Sequence, residues 1–447
     1  MLLGLPFFYL LIFQTIVDFK KVFWLALISI PLSTELTLGP TLEIHMPVEP
    51  LMIGLTLVYV IYIIANPQRI NVKALKHPLI IMLIIHLVWI FITMLMSNLF
   101  VVSLKFFIAK MWYVIVFTAL GMQCIKNEKD FKTFFWVVFL PLLFATLVVF
   151  IRLAMINFAF EDIQSVMRPF FRNHISYSSI LALFIPFIFL AATWYKRWSL
   201  MWWFLVGGFI FILFSIQFSY TRTAYGGLVL AVGGLLVVHW KLIKPALVVS
   251  ACVLLAGAAF IANDNEYLEF APNYDKTITH TDFNSLVEAT YKLEDISTME
   301  RVYRWVAAVR MSQEELVFGY GPGNFYNFYK GYTVYKFQTY VSDNPEKSGV
   351  HSYFLMMLVD QGILGCLIFF ALTFAILIYG EKIYHETTNK ERAKIILSII
   401  YSMIVIDSFL LINDMIETDK VGSFFFIMIG MLVNFDLLNQ KEKEEAA

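Results

Sequence analysis

Apolar runs separated by short polar loops fill the chain up to about residue 262 and resume at residue 352. The runs expected to cross a membrane are Leu2–Val17, Val22–Leu38, Val48–Ala65, Leu79–Ser97, Leu99–Cys124, Phe131–Phe158, Ile175–Tyr195, Ser199–Ser219, Thr223–Trp240, Pro245–Ala262, Ser352–Tyr379, Ile395–Ile412 and Val421–Leu438. A spanning helix needs about 20 apolar residues to cross a hydrocarbon core of about 30 Å. The pattern therefore predicts an all-α polytopic membrane protein with 12 or 13 transmembrane helices, the first two runs being short. Between 263 and 350 the apolar runs stop. Asn263 to Asp295 is acidic and irregular, Ser297 to Ser312 carries a helical pattern, and glycine turns follow. Four parts are expected: an N-terminal bundle (1–262), an external loop with short helices (263–350), C-terminal helices (351–438) and a tail (439–447).

Composition agrees with this reading. Hydrophobic residues make up 60% of the 447 and charged residues 15%, against about 25% charged in soluble domains; the mean hydropathy is +0.74. The three cysteines, Cys124, Cys252 and Cys366, lie in apolar runs without metal-like spacing, so neither a disulfide framework nor a metal site is expected. The first run lacks a basic leader and a small-residue cleavage site, so no cleavable signal peptide is expected. No internal repeat is visible, which gives no support to an inverted-repeat transporter.

Net charge is zero, so information lies only in its distribution. One alternating set of short loops, from Lys20 and Lys21 to Arg392 and Lys394, holds 16 of the 33 Lys and Arg, while the other holds Arg168, Arg172, Arg222 and Lys420. The positive-inside bias makes the first set cytoplasmic. The tail is then cytoplasmic and the 263–350 segment external.

The arginines run against that bias. Arg152, Arg168, Arg172, Arg222, Arg301, Arg304 and Arg310 are seven of the ten, and all fall on or near the external side. Topology does not call for arginine in particular, whereas its planar fork binds phosphate bidentately. A shared external anion is the reading of the group, with lipid headgroups or acidic loop residues as the alternative for any one member. Arg222 follows a tight turn, Ser219-Tyr-Thr-Arg222, and must sit at the membrane edge; at the centre it would cost roughly 2.5–3.5 kcal/mol. Arg301 and Arg304 share a helix face, with Trp305 placed to stack on Arg301 and Glu300 placed to pair with Arg304.

His351 stands at the start of the span after the loop, where a histidine can take a proton at neutral pH or serve only as an interfacial residue. Asp360, nine residues on, would lie about 13 Å deeper along a helix. A carboxylate there must be protonated or paired, with Lys105 and Lys110 as the nearby cations. Gly319-Tyr-Gly-Pro-Gly323 follows no strand pattern and is read as a turn rather than a phosphate loop. No pair of external carboxylates stands where a glycosidase would need one.

Four segments together resemble the O-antigen ligase/polymerase family of bacterial envelope glycosyltransferases. They are Phe171-Arg-Asn-His-Ile-Ser-Tyr-Ser-Ser179, Thr221-Arg-Thr-Ala224, Arg301-Val-Tyr-Arg-Trp305 followed by Gly319-Tyr-Gly-Pro-Gly-Asn-Phe325, and His351-Ser-Tyr-Phe-Leu through Gly362-Ile-Leu-Gly365. The resemblance spans about residues 168–366. It implies transfer of a glycan from a polyprenyl diphosphate to an acceptor hydroxyl at the periplasmic side of a bacterial inner membrane, with no metal, cofactor or nucleic acid. It implies that Arg222, Arg301, Arg304, Arg172 and Arg168 bind the diphosphate and that His351 activates the acceptor, with His174 and Asp360 as supporting residues. The acceptor could be lipid A core, a growing polysaccharide or protein. Ser352 stands where the family commonly has Asn. A transporter or flippase for lipid-linked glycan, or a scaffold, are the readings from other classes.

Overall fold

The structure is a computed structural model that describes residues 17–39, 42–159, 163–263, 265–271, 295–344 and 347–446. Its long helices are α1 (Phe19–Leu32), α2 (Val48–Ala65), α3 (Pro78–Leu95), α4 (Phe100–Cys124), α5 (Glu128–Met155), α6 (His174–Ala192), α7 (Leu200–Gln217), α8 (Arg222–His239), α9 (Ile243–Ala262), α10 (Ile296–Glu314), α11 (Tyr353–Glu386), α12 (Lys390–Ile412) and α13 (Asp419–Ala446). Among the described residues, 11 helices are long and apolar enough to cross a membrane: all of these except α1 and α10. The protein is an all-α polytopic membrane protein.

Two expected spans differ from this count. Leu2–Val17 lies, apart from Val17, outside the described residues. Val22–Leu38 becomes a 14-residue helix, α1, about 21 Å long at 1.5 Å per residue. A two-stranded antiparallel hairpin follows, β1 (Thr34–Gly39) with β2 (Leu42–Met46). Apolar and polar residues alternate in Leu42-Glu-Ile-His-Met46. That period of two is a strand signal, which an apolar count overlooks.

The helices on both sides of the 263–350 segment pack together: α12 lies against α6, α8 and α11, and α11 also lies against α3. Close packing of α8 on α12 comes from a stripe of small buried residues, Ala224, Gly227, Ala231 and Gly234. In a membrane such a face brings two helices together by van der Waals contact. At one end of the bundle Arg392 joins α5, α12 and α13. It donates to Glu128 at 2.7 Å, to Asn439 at 2.7 Å and through both terminal nitrogens to Glu442 at 2.7 and 2.8 Å. The hairpin, the 218–221 turn, α10 and the 413–418 linker lie at the other end.

At that other end α11 is not one helix. Gly362 has φ 68° and ψ −174°, which interrupts it, and a break in a helix strips carbonyls of their i+4 partners. The glycine turn supplies replacements. Tyr320 N–H donates to Val359 O and Gly321 N–H to Asp360 O, both at 2.9 Å, and the Trp89 indole donates to Gln361 O at 3.0 Å. A Cβ on Gly319 would lie 2.4 Å from Val359 O, and one on Gly362 would lie 2.1 Å from Val317 O. Both sites have positive φ and no room for a side chain, so glycine is required at each. Gly319-Tyr-Gly-Pro-Gly323 is a turn whose structural role is to fill the break.

Candidate functional site

His351 lies two residues before α11, in left-handed backbone with φ 59°. Two contacts hold it there. Its N–H donates to Asp414 Oδ2 at 3.1 Å, and its carbonyl accepts from the Trp305 indole at 3.1 Å. Trp305 therefore braces the histidine backbone. The expected stacking of Trp305 on Arg301 gives way to this bond because α10 packs against α11 and turns the indole toward residue 351.

Helix α10 starts at an Asp295 cap that accepts from Thr298 N–H at 2.9 Å. The same carboxylate receives Arg222 at 2.6 Å, tying the first residue of α8 to the start of α10. Burial would raise the Asp295 carboxyl, but the hydrogen bond and charge of Arg222, with the Thr298 bonds, outweigh it and hold it below its ordinary range. Arg301 reaches Ile412 O at 3.3 Å and Ser297 O at 2.9 Å. Burial, and then the charge of Arg222, pull its guanidinium down to about 10, still cationic at neutral pH. Arg304 pairs with Glu300 at 3.3 Å, as the spacing predicts, and its buried Nε makes no hydrogen bond. Glu300 also accepts from Ser342 at 2.7 Å and from Thr339, fastening the loop to α10.

These charges act on the histidine. Burial lowers His351 well below its ordinary value, and the positive fields of Arg301 and Arg304 add to the effect. The imidazole is neutral at physiological pH and free to accept a proton.

His351 lines a cavity of about 350 Å³ that also includes Arg168, Arg172, the hairpin residues Glu35 and His45, and the 413–420 segment. The expected arginines thus fall into two sets around the histidine. Arg168 and Arg172 line the cavity, while Arg222, Arg301 and Arg304 stand behind His351 and are not among the lining residues. Arg172 is half exposed, 3.9 Å from Glu35. His174 also stays out of the lining and accepts or donates at Nδ1 with Gln164 at 2.8 Å. Arg152 is committed to the Ser165 and Arg168 carbonyls, and Arg310 donates to Tyr267 at 2.6 Å.

Asp360 pairs with neither lysine. Its carboxylate, fully buried, accepts from Gly323 N–H at 2.7 Å and Phe325 N–H at 3.2 Å. The break at Gly362 puts the glycine turn over Asp360 instead. Lys110 serves a different acid: it donates to Glu417 at 2.6 Å and to the Tyr353 hydroxyl at 3.1 Å. Asp360 is a positioning residue of the turn, away from the cavity lining. The residues missed by sequence reasoning are Asp414, Asn413, Glu417 and Asp419 in the α12–α13 linker, and Glu35 and His45 in the hairpin. A short polar linker between two spans carries no spacing signal. Among the described residues no group of His, Cys, Asp and Glu is arranged to hold a metal ion.

A second large cavity, about 480 Å³, is apolar and lies among Phe189, Leu213, Leu235 and Tyr401 of α6, α7, α8 and α12. It contains none of the site residues.

Residues 207–370 match the family described as O-antigen ligase, which places this stretch in the O-antigen ligase/polymerase family of membrane glycosyltransferases. The match runs from α7 into α11 and contains Arg222, Arg301, Arg304, His351 and Asp360; Arg168, Arg172 and His174 precede it. No curated protein matches the chain.

Proposed function

We propose, from the O-antigen ligase stretch at 207–370, that this protein transfers a glycan from a polyprenyl diphosphate carrier to an acceptor hydroxyl on the external face of a bacterial inner membrane. The observation that carries the proposal is the neutral His351 imidazole between two sets of arginines, at the wall of a cavity of about 350 Å³.

In this reading the diphosphate oxygens bind the arginines. Arg168 and Arg172, which line the cavity, meet the charge that develops as the glycosyl C1–O bond to phosphate breaks, and Arg301 and Arg304 add their fields from behind His351. His351 takes the proton of the acceptor hydroxyl as that oxygen bonds to C1, and the polyprenyl diphosphate leaves. Donor binding prepares the base, because an anion in the cavity offsets the part of the His351 depression that comes from the fields of Arg301 and Arg304, burial being the larger part. The histidine then becomes a stronger base with the donor in place.

The test is purified full-length protein in nanodiscs with a polyprenyl diphosphate-linked glycan and an acceptor. Transfer of the glycan, with release of polyprenyl diphosphate, is the expected outcome. Movement of intact lipid-linked glycan across proteoliposomes without bond cleavage would instead make the protein a transporter.

A further inference from the structure

Helix α10 ends in polar residues, and the chain then turns abruptly apolar. Gln313, Glu314 and Glu315 are exposed, and Leu316, Val317 and Phe318, which follow, are 51%, 50% and 38% exposed. Three consecutive large apolar side chains on a loop in water would be unfavourable, at about 25 cal/mol per Å² of apolar surface left wet. Their position decides what covers them. The Phe318 ring stacks on the Trp89 indole, with centroids 5.9 Å apart and planes 15° apart. Trp89 belongs to the spanning helix α3 and lies six residues before its end at Leu95, about 9 Å down the helix at 1.5 Å per residue. On the other side, Ile363 N–H donates to Leu316 O at 2.8 Å, which sets Leu316 against the spanning part of α11. Ile363 and Leu364 there, like Val88 beside Trp89, are exposed. The 316–318 tip is therefore continuous with the lipid-facing surface of α3 and α11.

The backbone and the flanking residues fit that placement. Irregular backbone is tolerated at membrane depth where protein backs it, and the α11 break backs this turn. Besides the Leu316 bond, Gly319 N–H donates to Glu315 O at 3.1 Å and Tyr320 N–H to Val359 O at 2.9 Å. The Tyr320 and Tyr332 hydroxyls lie 2.8 Å apart at the Glu314 carboxylate. Tyrosines with their hydroxyls on a polar partner, close to a tryptophan, are the composition of a membrane–water boundary.

We propose that Leu316, Val317 and Phe318 insert among the acyl chains of the phospholipid leaflet on the His351 side, anchoring the loop after α9 to the bilayer, with Glu314 and Glu315 at the water boundary. The partner is phospholipid rather than a second copy of this chain, because the tip lies level with lipid-facing residues of two spanning helices. The anchor adjoins Gly319, the first residue of the turn that fills the α11 break, and follows directly on α10. It thereby holds the α10 arginines at a fixed height over the membrane. This role is independent of the transfer reaction.

The experiment uses the full-length protein in nanodiscs of phosphatidylethanolamine and phosphatidylglycerol. Val317→Cys and Lys336→Cys, the latter at an exposed loop position, are treated with a sulfonated maleimide that does not enter lipid, and labelled peptides are read by mass spectrometry. Val317→Cys should label at least about tenfold more slowly than Lys336→Cys, since the reactive thiolate forms poorly in apolar surroundings. Native Cys252, exposed on the spanning helix α9, should be slow likewise, and the difference should vanish in SDS. Equal labelling of the two variants in nanodiscs overturns the proposal. The photoreactive residue p-benzoylphenylalanine in place of Val317 then identifies what covers the tip. Phospholipid adducts are expected; cross-links to a second copy of the chain in place of lipid, or no lipid adduct at all, overturn the proposal.

Discussion

His351 gains its chemistry from neighbours on three elements. Asp414 and Trp305 fix its backbone at 3.1 Å each, and burial, with the α10 arginines adding to it, keeps its ring neutral. Removing the ring should leave donor binding intact and lower turnover by about 10²–10⁴, the usual contribution of a general base. His351→Gln should not restore it, since an amide hydrogen-bonds a hydroxyl but cannot take its proton. Near-wild-type transfer by His351→Ala would remove the histidine from the mechanism. The pH profile follows from directions of shift. His351 is depressed well below 6.5, so falling pH protonates it late and the rate should be flat from about pH 8 to 6.5. Burial pushes the Asp414 carboxyl up to about 6, against the pull of the His351 hydrogen bond. The carboxylate form is the one that holds the His351 N–H, so activity should fall as pH drops through about 6. Asp414→Asn should remove that limb from the profile, whatever it does to the rate; an unchanged limb would assign the titration elsewhere. Arg222→Lys keeps the charge and loses the fork, so donor affinity should weaken. Full binding and activity in both Arg222→Lys and Arg222→Ala would leave the 2.6 Å pair with Asp295 as the residue's whole role.

The element that carries the site is the broken helix α11, whose carbonyls at 359 and 360 are taken up by the glycine turn. Gly362→Ala would put a methyl 2.1 Å from Val317 O in a backbone region with φ 68° and ψ −174°. Strain of this kind is of order 1–3 kcal/mol before the clash. A lowered melting temperature and weakened transfer are expected. Gly331→Ala, with nothing within 4 Å of its new carbon, is the control that should leave both unchanged. Sequence reasoning reached part of this. Helix α10, the turn at 319–323 and the start of α8 after Ser219-Tyr-Thr were legible because each has a local signature. The break was not. Apolar residues continue through Ile363-Leu364, and one glycine in such a run does not reveal whether the helix tolerates it or stops. The partners of Asp360 were illegible for the same reason: the sequence offers protonation or a lysine, whereas backbone N–H groups of a distant turn meet it. The hairpin was lost because an apolar count overlooks the alternation of its strands, as in Leu42-Glu-Ile-His-Met46, and the α12–α13 linker because a short polar run between two spans carries no spacing signal.

On the scale of the whole molecule the two ends of the bundle are chemically different. At one, Arg392 is buried and ringed by Glu128, Glu442 and Asn439, and the loops near it carry most of the lysines. At the other, Arg168 and Arg172 line a cavity, with Arg222, Arg301 and Arg304 behind it. A cytoplasmic surface rich in Lys and Arg is what insertion selects. The arginines of the second end are there in spite of that bias: Arg152, Arg222, Arg304 and Arg310 are held by protein partners, and in the proposed function Arg168 and Arg172 meet the anion. Orientation therefore decides whether the site can meet a carrier lipid on the outside. A reporter fused within 263–271 should register as external and one fused within 387–389, between α11 and α12, as cytoplasmic. The two positions are joined by α11, one span, so a true topology must place them on opposite sides. The reversed pair of signals would turn the cavity toward the cytoplasm and remove the external transfer reaction. It would leave untouched the pairing of His351 with Asp414.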